Sequence, residues 1–448
     1  MVTDIDEYRA KKQQEDEAKC LLPDWFWEAR PELAAIRAGS RAKMISPETG
    51  LLCVLTRISA IGHMKAADDY RPRLPDIIIR PSPISLYGAI LGDSGAGKTG
   101  GQDLAGDLIP HRPEWAAIGK RPSTGEAIAD KFWGYEEEVD DKGKVKLVSA
   151  RKLRSWLMSW DEGGLLEGLA GRAGSTLIPD LDSAWSSAGI GNETSSDLRA
   201  GRTRSLEPFS YQVSVLMGIQ PDVAGFLLAQ ASNGLAQRFV WAASHDPDAS
   251  AAHCVRGRLP PLGWAPPKID GARGITGDGC YMMGVPRAAE ADIRERRESV
   301  LKRLITPDPL DAHHHLNQLR VAGNLAILGQ RADVDDDDWA LAAAFLAASD
   351  ATRAIAVKRG QEIGADVKRD KLKEAAAITV KSEEAREELF IARAKKRILK
   401  LLAEQGPLTV GQLQEQMTEN QRGFIHETID RLAGNGLIRK EGNQWKVC

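Results

Sequence analysis

A chain of 448 residues is too long for a single compact core and predicts two to four modules. Sixty Lys/Arg against 63 Asp/Glu give a net charge of −3, so any nucleic-acid surface must be a local patch. No apolar stretch approaches the ~20 residues that span a membrane, the N-terminus is charged and unlike a secretion signal, and the five cysteines lack C-x-x-C spacing. A cytoplasmic protein with reduced thiols is expected, with neither a disulfide framework nor a zinc site.

Residues 1–22 read as a charged arm and residues 23–83 as a helical segment with an extended lead-in. Leu33, Ile36, Leu51, Val54, Leu55 and Ile58 recur at helical spacing, which predicts two or three helices packed on the core. The cluster of Trp25, Phe26 and Trp27 reads as core packing. Tyr70 to Pro83 carries four prolines and reads as extended chain.

Residues 84–250 form the central expected domain. An apolar run ends in Gly92-Asp93-Ser94-Gly95-Ala96-Gly97-Lys98-Thr99, which fits the phosphate-loop pattern G-x-x-x-x-G-K-[ST]. Small residues let backbone N–H groups turn inward toward phosphate oxygens. Lys98 adds a point charge for the β- and γ-phosphates, and Thr99 offers a hydroxyl to Mg²⁺ at the start of the next helix. ATP and Mg²⁺ are therefore the expected ligands. A β-hairpin is predicted over EEEVDDKGKVKLVSARK, whose Lys144 and Lys146 head a basic cluster. That cluster is either a solvated face or a DNA-facing loop.

The strand SWLMSW then ends in Asp161-Glu162, a Walker B arrangement in which the aspartate holds the metal's water shell and the glutamate polarises the attacking water. Another strand, YQVSVLMGIQP, ends at Gln220, which a parallel sheet would bring near Asp161. Between these two strands a polar loop carries Arg199, Arg202 and Arg204. Arg238 stands in helical-type sequence, FLLAQASNGLAQRFVWAA, either paired with an acid or reaching a neighbouring subunit's nucleotide.

Residues 251–357 read as a connector and a helical lid, with Arg320 a candidate second sensor. The acids Asp335 to Asp338 suit a helix N-terminus. Residues 358–390 read as a charged linker helix. Residues 391–448 give three helices and a two-stranded wing turning at Gly442, in winged helix-turn-helix order, with ten Lys/Arg against six Asp/Glu. Arg422, His426 and Arg431 lie on or near the third helix, and Arg439, Lys440 and Lys446 on the wing. DNA contact and protein docking both fit such a module.

GDSGAGKT, STGEAI, WDEGGLLEGLAGRAGSTLIPDLDSAW, the GIQP strand end and SNGLAQRFVW together resemble the P-loop ATPase (helicase) domains of phage, plasmid and integrative-element replication proteins. These include the superfamily 3-like and primase-associated helicases of the AAA+/RecA-like class. The likeness runs from Trp25 to Ala243. It implies an α/β P-loop NTPase core with a parallel sheet, helical flanks and a C-terminal winged helix. It further implies phosphate and Mg²⁺ on Lys98 and Thr99, Walker B at Asp161 and Glu162, sensor 1 at Gln220 and an arginine finger at Arg238. A homo-oligomer, by resemblance a hexamer, would pass single-stranded DNA through a pore and hold duplex on the winged helix. The alternative is an ATP-switched initiator, loader or defence-assembly protein without processive unwinding. A small-molecule kinase is disfavoured, because it needs no winged helix.

Overall fold

The computed structural model describes residues 15–77, 80–93, 95–139, 145–191, 205–221, 223–229, 234–271 and 273–448, with the side chains at 146, 226, 229, 367, 368 and 376 excepted. Contacts divide the chain into two compact units that meet in sequence at Glu362 and Ile363. The first is mixed α/β. In chain order it opens with α1 (Asp24–Glu28), α2 (Pro31–Ala42) and α3 (Pro47–Ile61). Strands β1 (Met64–Lys65), β2 (Asp69–Leu74) and β3 (Ser82–Pro83) follow, then β4 (Tyr87–Leu91) and α4 (Gly100–Leu108). Next come β5 (Ala116–Ile118), α5 (Glu126–Asp130), the hairpin β6 (Trp133–Val139) and β7 (Val145–Arg151), and β8 (Ser155–Trp160). Helices α6 (Gly163–Ala170) and α7 (Leu177–Trp185) lead to β9 (Gln212–Ile219), α8 (Ala224–Ala229) and β10 (Phe239–Ala243). The unit closes with β11 (Cys280–Met282), α9 (Arg287–Leu301), α10 (His314–Leu328) and the start of α11 (Asp336–Gln405).

The main sheet has five strands, all parallel, in the order β10-β4-β9-β8-β5. Strands buried on both faces read as unbroken apolar runs, and alternate residues sort between the two faces. Ile90, Leu157, Leu216, Val240 and Ala242 join the core formed with α1–α4 and α10. Their neighbours Ala89, Trp156, Met158, Val215, Met217, Phe239 and Trp241 join the core formed with α5–α8. This explains one departure from the sequence pattern. FVWAA lies in sequence that predicts helix, yet all five residues are buried, and such a run fits a strand buried on both faces. The helical part of that segment is Ala224–Ala229, with a single 3₁₀ turn at Ala236–Arg238. The short edge strand β5 had no sequence signal.

Helix α3 is buried along its whole length, its polar members Glu48, Thr49, Thr56, Arg57 and Ser59 included. Pro47 occupies its first turn, and Ser46 caps it by accepting the Thr49 N–H. Ser46 Oγ and Thr49 Oγ1 also donate to the Ala243 carbonyl, at 2.5 and 3.2 Å, which ties the helix to the end of β10. The acids expected at the start of α11 cap it and pair outward as well. Asp338 is fully buried and takes Arg30 and Arg331, each at 2.6 Å.

In the first turn of α3, Glu48 accepts the Leu22 N–H at 2.9 Å and is almost fully buried. Burial pushes its carboxyl from 4.5 up to about 7, against the lowering effect of that hydrogen bond. A carboxyl raised on folding favours the folded state fully below its unfolded value, and that contribution is lost as pH rises through about 7. Glu48→Gln keeps the acceptor and cannot ionise. The variant is expected to match the parent in thermal unfolding near pH 4 and to exceed it by about 2–3 kcal/mol at pH 8. Parallel pH profiles for the two proteins would sink this assignment.

The second unit holds the rest of α11, then α12 (Val410–Glu415), α13 (Glu419–Arg422), α14 (Ile425–Gly434) and the antiparallel pair β12 (Ile438–Glu441) and β13 (Gln444–Val447). Thr409 forms a capping box with Gln412, and Gly442 turns between the strands at φ +62°. Ile398, Leu401, Leu413, Ile425, Ile429 and Leu432 build a separate small core. The short α13 is an addition to the three helices expected. Among the described residues, one helix, Asp336–Gln405, carries an 18-residue apolar window long enough to cross a membrane, and that window is partly buried in the protein.

Candidate functional site

In a parallel sheet every strand delivers its carboxyl end to the same edge. The strand order sets β9 between β4 and β8, so three loops emerge there side by side. They carry Gly92–Thr99 after β4, Asp161–Glu162 after β8 and Gln220 after β9. The sheet holds the first loop at its root, where Gly92 N–H donates to the Ile219 carbonyl at 3.0 Å.

The loop needs its glycines for two separate reasons. Gly95 and Gly97 sit at φ +82° and +73°, where a side chain is strained. Gly92 is held by a close approach instead, since a β-carbon there would run into Ser244 Oγ. Asp93 is exposed, Ala96 half-buried, and Ser94 lies outside the described residues. Lys98 Nζ folds back on the loop, donating to the carbonyls of Gly92 and Asp93, both at 2.7 Å. Thr99 is the N-terminal flanking residue of α4 and is exposed, with no capping bond from its hydroxyl.

Gly218 is where the parts meet. A β-carbon on it would lie 2.5 Å from the Asp161 carbonyl oxygen and 3.3 Å from Lys98 Cδ and Cε. The lysine stem and the acidic strand end thus close over the same bare backbone position. Asp161 and Glu162 are both exposed, and Glu162 immediately precedes α6 in extended conformation. Gln220 is half-buried, and its carbonyl accepts the N–H groups of Val223 and Ala224. Gln102 on α4 reaches Ser159 on β8 at 2.5 Å and fixes the helix against that strand. The oxygens and the ammonium gathered here suit an anionic oxyligand with a hard divalent cation.

Arg238 sits elsewhere. It directly precedes β10, at the amino edge of the sheet, where it packs 5.1 Å over the Trp185 ring and pairs with Asp182 at 3.4 Å. Burial raises the Asp182 carboxyl to about 6, against the lowering pull of Arg238. Arg320 packs 3.6 Å from the centre of the same ring and is fully buried. Neither arginine reaches the glycine loop of its own chain, because the strands lie between them.

The expected DNA contacts divide three ways. Lys144, Arg199, Arg202 and Arg204 lie outside the described residues, and only the backbone of Lys146, in β7, is described. Arg422 and Arg431 are committed locally. Arg422 donates to the carbonyls of Gln414 and Met417, and Arg431 pairs with Glu388 and Glu427, each at 2.8 Å. His426, Arg439 and Lys440 are exposed, with Lys440 6.0 Å from the centre of the Trp445 ring, while Lys446 pairs with Glu441.

Spacing could not reveal the partners of Arg422 and Arg431, which need the folded turns. Gly218 carried a signal, as a lone glycine inside an apolar strand often marks a close backbone approach. Comparison with protein-family models gives no match, and a search of curated proteins gives none either.

Proposed function

We propose that this chain is a P-loop ATPase of the AAA+/RecA-like class that couples ATP hydrolysis to movement on or unwinding of DNA, as a ring-forming helicase or translocase of a mobile genetic element. The observation that carries the reading is the convergence of Lys98 and Asp161 on Gly218 at the carboxyl edge of a parallel sheet. The residues present fit ATP and Mg²⁺, since an uncapped threonine hydroxyl, an exposed carboxylate and a glycine-turned loop supply the donors these groups need.

Lys98 would place its ammonium on the β- and γ-phosphates, and Thr99 and Asp161 would hold the metal. When bound, Mg²⁺ neutralises charge on the phosphate oxygens. Glu162 would accept a proton from the attacking water, and Gln220 would orient that water. Arg238 can act only on a nucleotide of another copy, which is why the reading includes a homo-oligomer, a hexamer by resemblance. The C-terminal unit is read as a winged helix that presents His426, Arg439 and Lys440 to duplex DNA, and the protein as cytoplasmic.

One observation favours a second reading, an ATP-switched initiator, loader or defence-assembly protein. Arg422 and Arg431 are committed to internal contacts, which leaves the C-terminal unit a thin cationic surface for DNA. Steady-state hydrolysis with single-stranded DNA, duplex DNA and neither separates the two. Glu162→Gln should bind ATP and lose turnover by about 10²–10⁴-fold. Single strands should stimulate the parent severalfold. Hydrolysis indifferent to both DNAs would reject the motor and leave the switch, while no ATP hydrolysis at all would reject both.

A further inference from the structure

A cavity of about 530 Å³ lies at the opposite, amino edge of the sheet. The residues leading into β4, the end of α7, the residue before β10, and helices α9 and α10 enclose it. About five residues of strand, some 16 Å, separate it from the glycine loop.

Its charge is unbalanced. Arg80, Arg238, Arg296, Arg297 and Arg320 line it, against one carboxylate, Asp311. That carboxylate is already taken by Arg353, and Asp182 is taken by Arg238. Among the described residues no carboxylate pairs with Arg80, Arg296, Arg297 or Arg320. Arg320 is the sharpest case. It is 1% exposed, donates to Ser82 Oγ at 2.8 and 3.1 Å and to the Ser85 carbonyl at 2.9 Å, and stacks 3.6 Å from the Trp185 ring centre. Neutral partners accept its hydrogen bonds but leave its charge uncompensated in a desolvated place, which is unfavourable for an ion.

The neighbouring imidazoles register the same field. Burial first, then Arg238 and Arg320, lowers His313 to about 4, and burial with His314 and Arg296 lowers His315 to about 4. Both stay uncharged at neutral pH. Between the cations the wall is apolar, made by Pro75, Ile293, Val300, Leu316 and Leu319.

We propose that this cavity binds a small organic phosphate of nucleotide size, its phosphate on the guanidinium groups and its planar body against the apolar wall. Arginine suits phosphate because its planar fork binds two oxygens at once, and the volume falls in the range of ligand pockets. The site is independent of the phosphate loop and does not require the chain to be an ATPase. The ligand is a free nucleotide; a nucleotide held on the loop of a neighbouring copy presents the same chemistry and is the case the test must exclude.

Titration calorimetry of AMP and of inorganic phosphate into full-length Lys98→Ala tests the assignment, because that variant disables the other site. One AMP should bind per chain, at all protein concentrations, and more tightly than phosphate alone. The double variant Arg296→Glu/Arg297→Glu, two cavity-lining residues of α9 of which Arg296 is half-buried and Arg297 exposed, should weaken AMP by about tenfold or more. Val300→Trp, which fills the cavity without touching charge, should do the same. Several outcomes would overturn the proposal: no AMP binding to Lys98→Ala, binding indifferent to both variants, or binding only in assemblies with an intact loop. Charge reversal that weakens a single-stranded oligonucleotide and leaves AMP unchanged would overturn it too, in favour of a DNA groove.

Discussion

Lys98→Ala is expected to abolish nucleotide binding and to lower hydrolysis by about 10²–10³-fold or more, with the fold intact. The ammonium is the one cation that the glycine loop itself brings to the converged strand ends, and no neighbouring side chain of that loop can replace it. Two of its hydrogen bonds run to the carbonyls of Gly92 and Asp93, which are half-buried and exposed respectively. Water can take over those acceptors, so the loss in stability should stay near ~1 kcal/mol. Equilibrium binding of a fluorescent ATP analogue, steady-state turnover and thermal unfolding report the three quantities separately. Turnover within tenfold of the parent would remove Lys98 from the chemistry. A collapse in thermal stability would instead make it a structural residue of the loop.

The second large effect falls on Gly218. Gly218→Ala puts a methyl group 2.5 Å from the Asp161 carbonyl, a backbone atom that cannot swing away. The ends of β8 and β9 must separate, and the Lys98 stem must move with them. Overpacking of this kind costs about 1–3 kcal/mol, and hydrolysis should fall further than that loss of folded protein explains. Gly168→Ala is the control. It lies on the exposed part of α6 with nothing near the added carbon, and should be neutral or stabilising by up to ~1 kcal/mol. Urea midpoints and turnover measured on both variants check the contrast. Equal behaviour would mean that the strand ends tolerate the intrusion, and the convergence would lose its meaning.

Local signals carry much of this chain, and the places where they fail share one cause. The glycine loop, the acidic strand end and the hairpin are legible because each is written in consecutive residues with their own turn chemistry. So, apart from the short α13, is the order of helices and strands in the last fifty residues. FVWAA misleads because five consecutive buried residues have no periodicity of their own, and only the neighbouring β4 decides for strand. Arg238 is legible as an arginine in apolar surroundings, but not its stacking on Trp185, a residue more than fifty positions earlier. Arg320, Trp185 and Ser82 assemble from three distant segments, so no window of sequence contains that cavity. Arg422 and Arg431 look like surface charges because a helix face does not reveal which carbonyls or acids fold against it.

The strand order has a consequence for how the protein is made. β4 is synthesised early, yet its two partners in the sheet come late. Leu91 pairs with Ile219 on one side and Ala243 on the other. A ribosome adding ~5–20 residues per second leaves both edges of β4 without a partner for roughly 6 to 30 seconds. During that interval YGAIL is an apolar strand with open edges, the kind of segment that seeks any other strand. Fragments that stop before Phe239 should therefore be captured by chaperones or aggregate, whereas a shortened chain that stays soluble should extend beyond Ala243.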